Sequence, residues 1–210
     1  MLHKVKEFFT HHDARMRDNR WIFFSMLIGG IGSLVAAFVL SRDAIEIAAN
    51  PNAVLSCSVN IVLNCATVAR DASSHMFGFP NSFIGLMAEP VVITIAIAGL
   101  AGVVFPRKFM FAAQIIYTFG LVFALVLLGI STFHIGALCP WCLLVTVTTL
   151  FEWFAITRYN IRENNLYLPK KVAKWAHGVI AKDYDKVALF TIIVLLAVMI
   201  ITKYGSALFA

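Results

Sequence analysis

Residues 21–40 read WIFFSMLIGGIGSLVAAFVL, a run of twenty residues without a charge. At a rise of ~1.5 Å per residue, a helix of that length matches the hydrocarbon thickness of a bilayer. The run follows a polar and basic stretch, residues 1–20, which carries Lys4, Lys6, Arg15, Arg17 and Arg20. A basic head and an apolar run also describe a secretory signal, but the apolar part of a signal is only about 7–15 residues long and ends at a small-residue cleavage site. This run is longer and nothing after Leu40 fits such a site, so it reads as a retained first transmembrane helix.

The rest of the chain repeats the pattern. Of 210 residues, 60% are hydrophobic and 13% charged, and the mean hydropathy is +0.85. A soluble domain needs far more polar surface than that. Further apolar runs cover about 83–105, 109–133, 139–156 and 187–201. The second and third are separated only by "PRK" (Pro106 to Lys108), the third and fourth by "HIGAL", so neighbouring helices must return antiparallel. The expected fold is all-α: an integral membrane four-helix bundle over 21–157, a long outer loop over 41–81 capping it, a basic segment over 158–186, and a fifth transmembrane helix within 187–210.

Charge sets the expected orientation. The N-terminal stretch holds five Lys/Arg, the Pro106 turn two and residues 158–186 seven, and these lie on one side if every run spans. The other side has only Arg42, Arg70 and Lys203. Fourteen against three places the N-terminus in the cytoplasm and the loop and C-terminus outside, in a cell (inner or plasma) membrane. The net charge of +6 is then a topology signal, and nucleic acid is not an expected partner.

This topology puts all four cysteines, Cys57, Cys65, Cys139 and Cys142, at the outer, oxidising face. In "CPWC", Pro140 suits the first position of a helix, which makes Cys139 an N-cap at the positive end of the helix dipole and favours its thiolate. Cys142 lies about one turn deeper. The plainer alternative is a static disulfide or two inert thiols. A zinc site completed by His75 and His134 needs one closed tetrahedral cluster; the spacing gives two separate pairs, so no metal is expected. "CSVNIVLNC" (Cys57 to Cys65) reads either as a staple, contributing about 2–3 kcal/mol by loop closure, or as one half of a thiol–disulfide relay.

Taken together, "CSVNIVLNC", then "FGFPNSFIG", then "CPWC" at the head of a helix resembles the vitamin K epoxide reductase family, most closely its bacterial homologues that oxidise secreted proteins. The resemblance covers about 21–153. It implies a four-helix bundle around a quinone (menaquinone or ubiquinone) with the loop above it. It also implies a separate thioredoxin-fold partner of the DsbA type, because the fused thioredoxin-like domain of many bacterial members has no counterpart here. By the same resemblance Cys57 accepts the partner's thiols, Cys65 passes electrons to Cys139, Cys142 faces the quinone, and Asn81 hydrogen-bonds a quinone oxygen. Two positions depart from the family pattern. Asp71 stands where a Ser or Thr is common, with Ser73 and Ser74 close by, and Thr146 stands where human-type enzymes carry a Tyr. The second departure favours plain quinone reduction over epoxide reduction. The unrelated bacterial disulfide-bond protein B has a second pair in its own outer loop, which this chain lacks.

Among the remaining residues, Phe77, Phe79 and Phe83 flank Asn81 and are candidate walls of an apolar quinone site. Glu89 and Glu152 lie within apolar runs, where carboxyls are costly. Glu89 is a candidate pocket or proton-relay group and Glu152 reads as structural. His134 is a candidate proton acceptor beside Cys139. "GGIG" (Gly29 to Gly32) lies mid-span and reads as a helix-packing site. His11 and His12 read as a solvated tail. Residues 158–186, with Trp175 and Tyr184 among lysines, read as an amphipathic surface helix. Three functional readings follow: a quinone-dependent thiol oxidase regenerating the disulfide of a thioredoxin-fold partner, a vitamin K epoxide or quinone reductase, and a non-enzymatic bundle with two static disulfides.

Overall fold

The computed structural model describes residues 14–208; Lys4, Lys6, His11 and His12 lie outside the described residues. Helix α1 spans Ala14–Ala49, nine residues past the apolar run. Residues 41–49, SRDAIEIAA, are too polar to register as membrane but rich in helix formers, and the helix stops only where Pro51 disfavours a helical Asn50. The long loop therefore begins at Asn50 rather than at residue 41, and Ser41 and Asp43 lie on α1, both buried.

The loop contains a short helix, α2 (Cys65–Arg70), and a 3₁₀ turn over Ala72–His75. Next come α3 (Ser82–Leu100) and α4 (Arg107–Ile130), which runs on through a π-turn, Ser131–Ile135. α5 (Pro140–Arg162), α6 (Lys170–Ala181) and α7 (Tyr184–Tyr204) complete the chain. Five of these helices, α1, α3, α4, α5 and α7, are long and apolar enough to cross a membrane. This is the all-α membrane bundle that the composition implies, with no strand among the described residues.

α1 is the central helix. It packs on α3 and α5, α4 packs on α5, and α3 and α4 make almost no contact. Apolar burial drives little association between helices in lipid, so close packing depends on small residues. A Cβ on Gly85 of α3 would lie 2.8 Å from Ala37 Cβ of α1, and a Cβ on Gly99 would lie 2.4 Å from the Phe23 ring. Phe23, Met26, Met110 and Ile156 fill the end of the bundle nearer the N-terminus. There Arg158 pairs with Asp18, Asp183 and Asp185 at 3.1, 3.0 and 2.8 Å, joining α5 to the starts of α1 and α7. α7 buries no residue of its own; near its far end Tyr204 donates to the Thr132 carbonyl at 3.0 Å. Within the basic segment α6 buries Ala176 and Ile180 and exposes Trp175, an amphipathic division.

Candidate functional site

The two cysteine pairs are brought together by the backbone of the loop. Asn60 accepts from the Val62 and Leu63 amides at 3.0 and 2.7 Å, which turns the chain back on itself. The next residues form a small parallel bridge, Leu63 to Leu138: Leu138 N–H donates to the Val62 carbonyl at 2.7 Å, and Asn64 N–H donates to the Leu138 carbonyl at 2.9 Å. Asn64 then caps α2, its side chain accepting from Thr67 N–H at 3.0 Å. Each arm of this clamp is followed directly by a cysteine, Cys65 on one side and Cys139 on the other. Cys57, Cys65 and Cys139 accordingly share one buried apolar cluster, with Cys142 against it.

Cys57 and Cys65 form a disulfide, Cα to Cα 5.6 Å, while Cys139 and Cys142 are free thiols. Cys139 is the N-cap of α5, with Pro140 as its first residue. A hydrogen bond from the Cys142 thiol, more than any other influence, holds the Cys139 thiol below the ordinary thiol range. Amide N–H groups of Trp141 and Cys142 at the helix start act in the same direction. Asp43, in sequence only one charge in a polar stretch, has a carboxyl oxygen 3.6 Å from Cys57 Sγ. It reaches that position only because α1 continues beyond the apolar run.

Below the loop lies a cavity of about 730 Å³. Cys65, Cys139, Cys142 and Asn81 line its outer part; Ser33, Glu89, Tyr117 and Glu152 line its deep part. Val91 of α3 and Ile116 and Phe119 of α4 also line it and are exposed. The cavity is thus open sideways where α3 and α4 fail to meet. An apolar chamber with a side opening and a few convergent polar groups suits a flat, lipid-soluble ring.

The description "Vitamin K epoxide reductase family" matches residues 24–157. The chain belongs to that family. No curated protein and no solved structure gives a match. Membership in the vitamin K epoxide reductase family, together with five apolar helices, makes the chain a multi-pass membrane oxidoreductase with quinone-linked disulfide chemistry, in a family that generally works with thioredoxin-like partners.

Asn81 lines the cavity but is also a staple of the loop. Its Nδ2 donates to the Ser73 carbonyl at 2.7 Å and its Oδ1 accepts from Met76 N–H at 3.2 Å, leaving one amide proton for a ligand. Asp71 accepts from both the hydroxyl and the amide of Ser73, at 2.6 and 2.9 Å. These two bonds hold its carboxyl below the usual range. Ser74 donates to the Val68 carbonyl at 2.6 Å. Thr146 lines the cavity with its hydroxyl bonded to the Cys142 carbonyl at 2.9 Å. Of the three phenylalanines, Phe77 lines the cavity; Phe79 stacks between Phe77 and Phe83, ring centroids 6.1 and 6.4 Å apart. His134 is exposed in the π-turn and is not among the cavity-lining residues, whereas His75 is. Glu89 lines the cavity, and so does Glu152, which as a sequence reads as structural only.

Proposed function

We propose that the protein is a quinone-dependent thiol oxidase that regenerates the disulfide of a separate thioredoxin-fold partner and so supports disulfide formation in exported proteins. The observation that carries this reading is the convergence of both cysteine pairs on one apolar cluster at the roof of a laterally open cavity. The excess of Lys/Arg on the opposite side supports an outer location for the cysteines.

In this reading a thiolate of the partner attacks Cys57 Sγ, a partner–Cys57 bond forms, and Cys65 leaves as a thiolate. Cys57 is 8% exposed and Cys65 1%, which favours Cys57 as the first sulfur attacked. Cys65 then attacks Cys139 in a Cys139–Cys142 disulfide, releasing Cys142. The partner's second thiol displaces Cys57, whose thiolate attacks Cys65 and frees Cys139. The loop disulfide is restored and the helical pair is left reduced. That dithiol gives two electrons to the quinone, menaquinone or ubiquinone. The net reaction is dithiol plus quinone to disulfide plus quinol. With Thr146 in place of a phenol and its hydroxyl bonded to the backbone, nothing at that position offers a tyrosine's acid for opening an epoxide.

The test is quinone absorbance during anaerobic mixing with a reduced thioredoxin-fold donor, for wild type, Cys57→Ala and Cys142→Ala. Stoichiometric loss of quinone in wild type and none in either variant is the expected result. A wild type that leaves both naphthoquinone and benzoquinone acceptors oxidised would replace this reading with that of a stapled, non-enzymatic bundle.

A further inference from the structure

All four helices of the bundle contribute to one polar cluster at the deep end of the cavity: Ser33 from α1, Glu89 from α3, Tyr117 from α4 and Glu152 from α5. Ser33 donates to Glu89 Oε1 at 2.8 Å. Glu89 Oε2, Tyr117 OH and Glu152 Oε1 are buried with no hydrogen-bond partner. The three residues are only 7%, 9% and 2% exposed. Orphaned polar atoms at membrane depth are costly and mark a place where something binds or exchanges.

The "GGIG" stretch of α1 is shaped around this cluster. A Cβ on Gly29 would sit 2.9 Å from Glu152 Oε1, and one on Gly30 would sit 3.7 Å from Glu89 Oε2. Gly29 therefore seats the Glu152 carboxyl, while Gly30, whose Cβ would crowd Ile93 and Val92 at 3.0 and 3.2 Å, lets α3 approach closely enough to bring Glu89 beside it. Neither carboxyl has a cation paired with it among the described residues. Two bare anions side by side in a dry bundle are prohibitive, so the pair shares at least one proton.

Reduction of a para-quinone requires a proton at each of two oxygens on opposite edges of the ring. A quinone seated in the cavity with one edge toward Cys142 would have that edge within reach of a thiol proton, and its other edge, turned toward the deep lining residues, would be remote from both thiols. We propose that Glu89 and Glu152 form a proton-exchange site that protonates the inward-facing quinone oxygen. This rests on the thiol:quinone reading above. The step balances with the Cys139 thiolate, the Cys142 thiol, the quinone and one carboxylic acid as reactants. A sulfur–sulfur bond forms and two electrons pass to the ring. One proton comes from Cys142 and one from the carboxyl pair, leaving a disulfide, a quinol and a carboxylate that regains its proton through the cavity. Phe23, Met26, Met110 and Ile156 close the bundle at its N-terminal end, so the proton returns from the loop side.

Two measurements on the full-length protein test this. The first needs no turnover: dicyclohexylcarbodiimide, which reacts with protonated carboxyls in apolar surroundings, should modify Glu89 or Glu152 in quinone-free protein, read by peptide mass. A short-chain ubiquinone should slow that labelling. Absence of label on both residues overturns the inference. The second is a single turnover of pre-reduced protein with the same quinone. The double variant Glu89→Gln/Glu152→Gln should lose about 100-fold in rate, within the range of general acid catalysis, with quinone Kd and thiol exchange with the donor unchanged. Gly29→Ala, which displaces the Glu152 carboxyl while keeping both acids, should also slow the step. A double variant as fast as wild type overturns the proton site and leaves the oxidase reading intact. A wild type that does not reduce quinone overturns both.

Discussion

Replacing Asn64 with alanine isolates the joint between the two cysteine pairs. Asn64 Oδ1 accepts from Thr67 N–H at 3.0 Å and from Ser58 Oγ at 3.1 Å. Its own N–H, donated to the Leu138 carbonyl, survives the substitution. Loss of an N-cap costs about 1 kcal/mol, and loss of a second, partly buried hydrogen bond about 1 kcal/mol more. Together these shift the ratio of docked to undocked loop by up to ~30-fold, since 1.4 kcal/mol is a factor of about ten. Cys65 should therefore meet Cys139 less often. The assay is formation of the Cys65–Cys139 bridge in a Cys142→Ala background with the loop disulfide oxidised and no donor added: the Cys139 thiolate attacks Cys65 and releases Cys57 as a thiol, and the exchange is stopped by acid quenching and read by mass spectrometry after alkylation of the freed thiol. Asn64→Ala should slow that bridge by about 5–30-fold and leave quinone reduction by a pre-reduced Cys139/Cys142 pair untouched. An unaltered rate of bridging would mean that the clamp at Leu63 and Leu138 holds the loop without its cap and would refute a positioning role for Asn64.

Gly99→Ala should destabilise the bundle by about 1–3 kcal/mol, the range for overpacking a tight core, because its Cβ meets three Phe23 ring atoms at 2.4–2.5 Å. The apparent Tm should fall by several degrees and recover in part with Phe23→Leu; an unchanged Tm would contradict the packing described. For the thiols, the hydrogen bond from Cys142 that lowers the Cys139 pKa should give a thiolate at a pH below the ordinary thiol value. The sign is that thiolate absorbance at 240 nm appears earlier on raising the pH. In a variant with Cys57 and Cys65 replaced by alanine, adding Cys142→Ala should move that titration upward, and a titration that stays in place would refute the assignment of cause.

Much of the architecture was legible because hydropathy and helix length are coupled by the bilayer, and because Pro140 marks a helix start whatever surrounds it. The roof of the site was less legible. Residues 41–49 carry Ser, Arg, Asp and Glu, so a hydropathy reading assigns them to a loop, yet their helix propensity extends α1 and buries Asp43 against Cys57. The clamp between Leu63 and Leu138 joins segments far apart in sequence with only two backbone bonds, too short a pairing to leave a strand-like pattern. Glu152 looked structural because its depth alone was visible. That it faces the same cavity as Glu89 depends on how α1, α3 and α5 are rotated about their axes, which Gly29 and Gly30 reveal only once the helices are assembled.

The gap between α3 and α4 also changes what substrate concentration means. A molecule that arrives through that side never leaves the bilayer, so its search is two-dimensional and its supply is counted per lipid. Diluting the protein with extra phospholipid at fixed quinone in the tube would starve it, while diluting the whole suspension with buffer would not. Saturation is then a property of the membrane's composition, and a cell that alters its quinone-to-lipid ratio would be adjusting the turnover of this protein without changing its abundance.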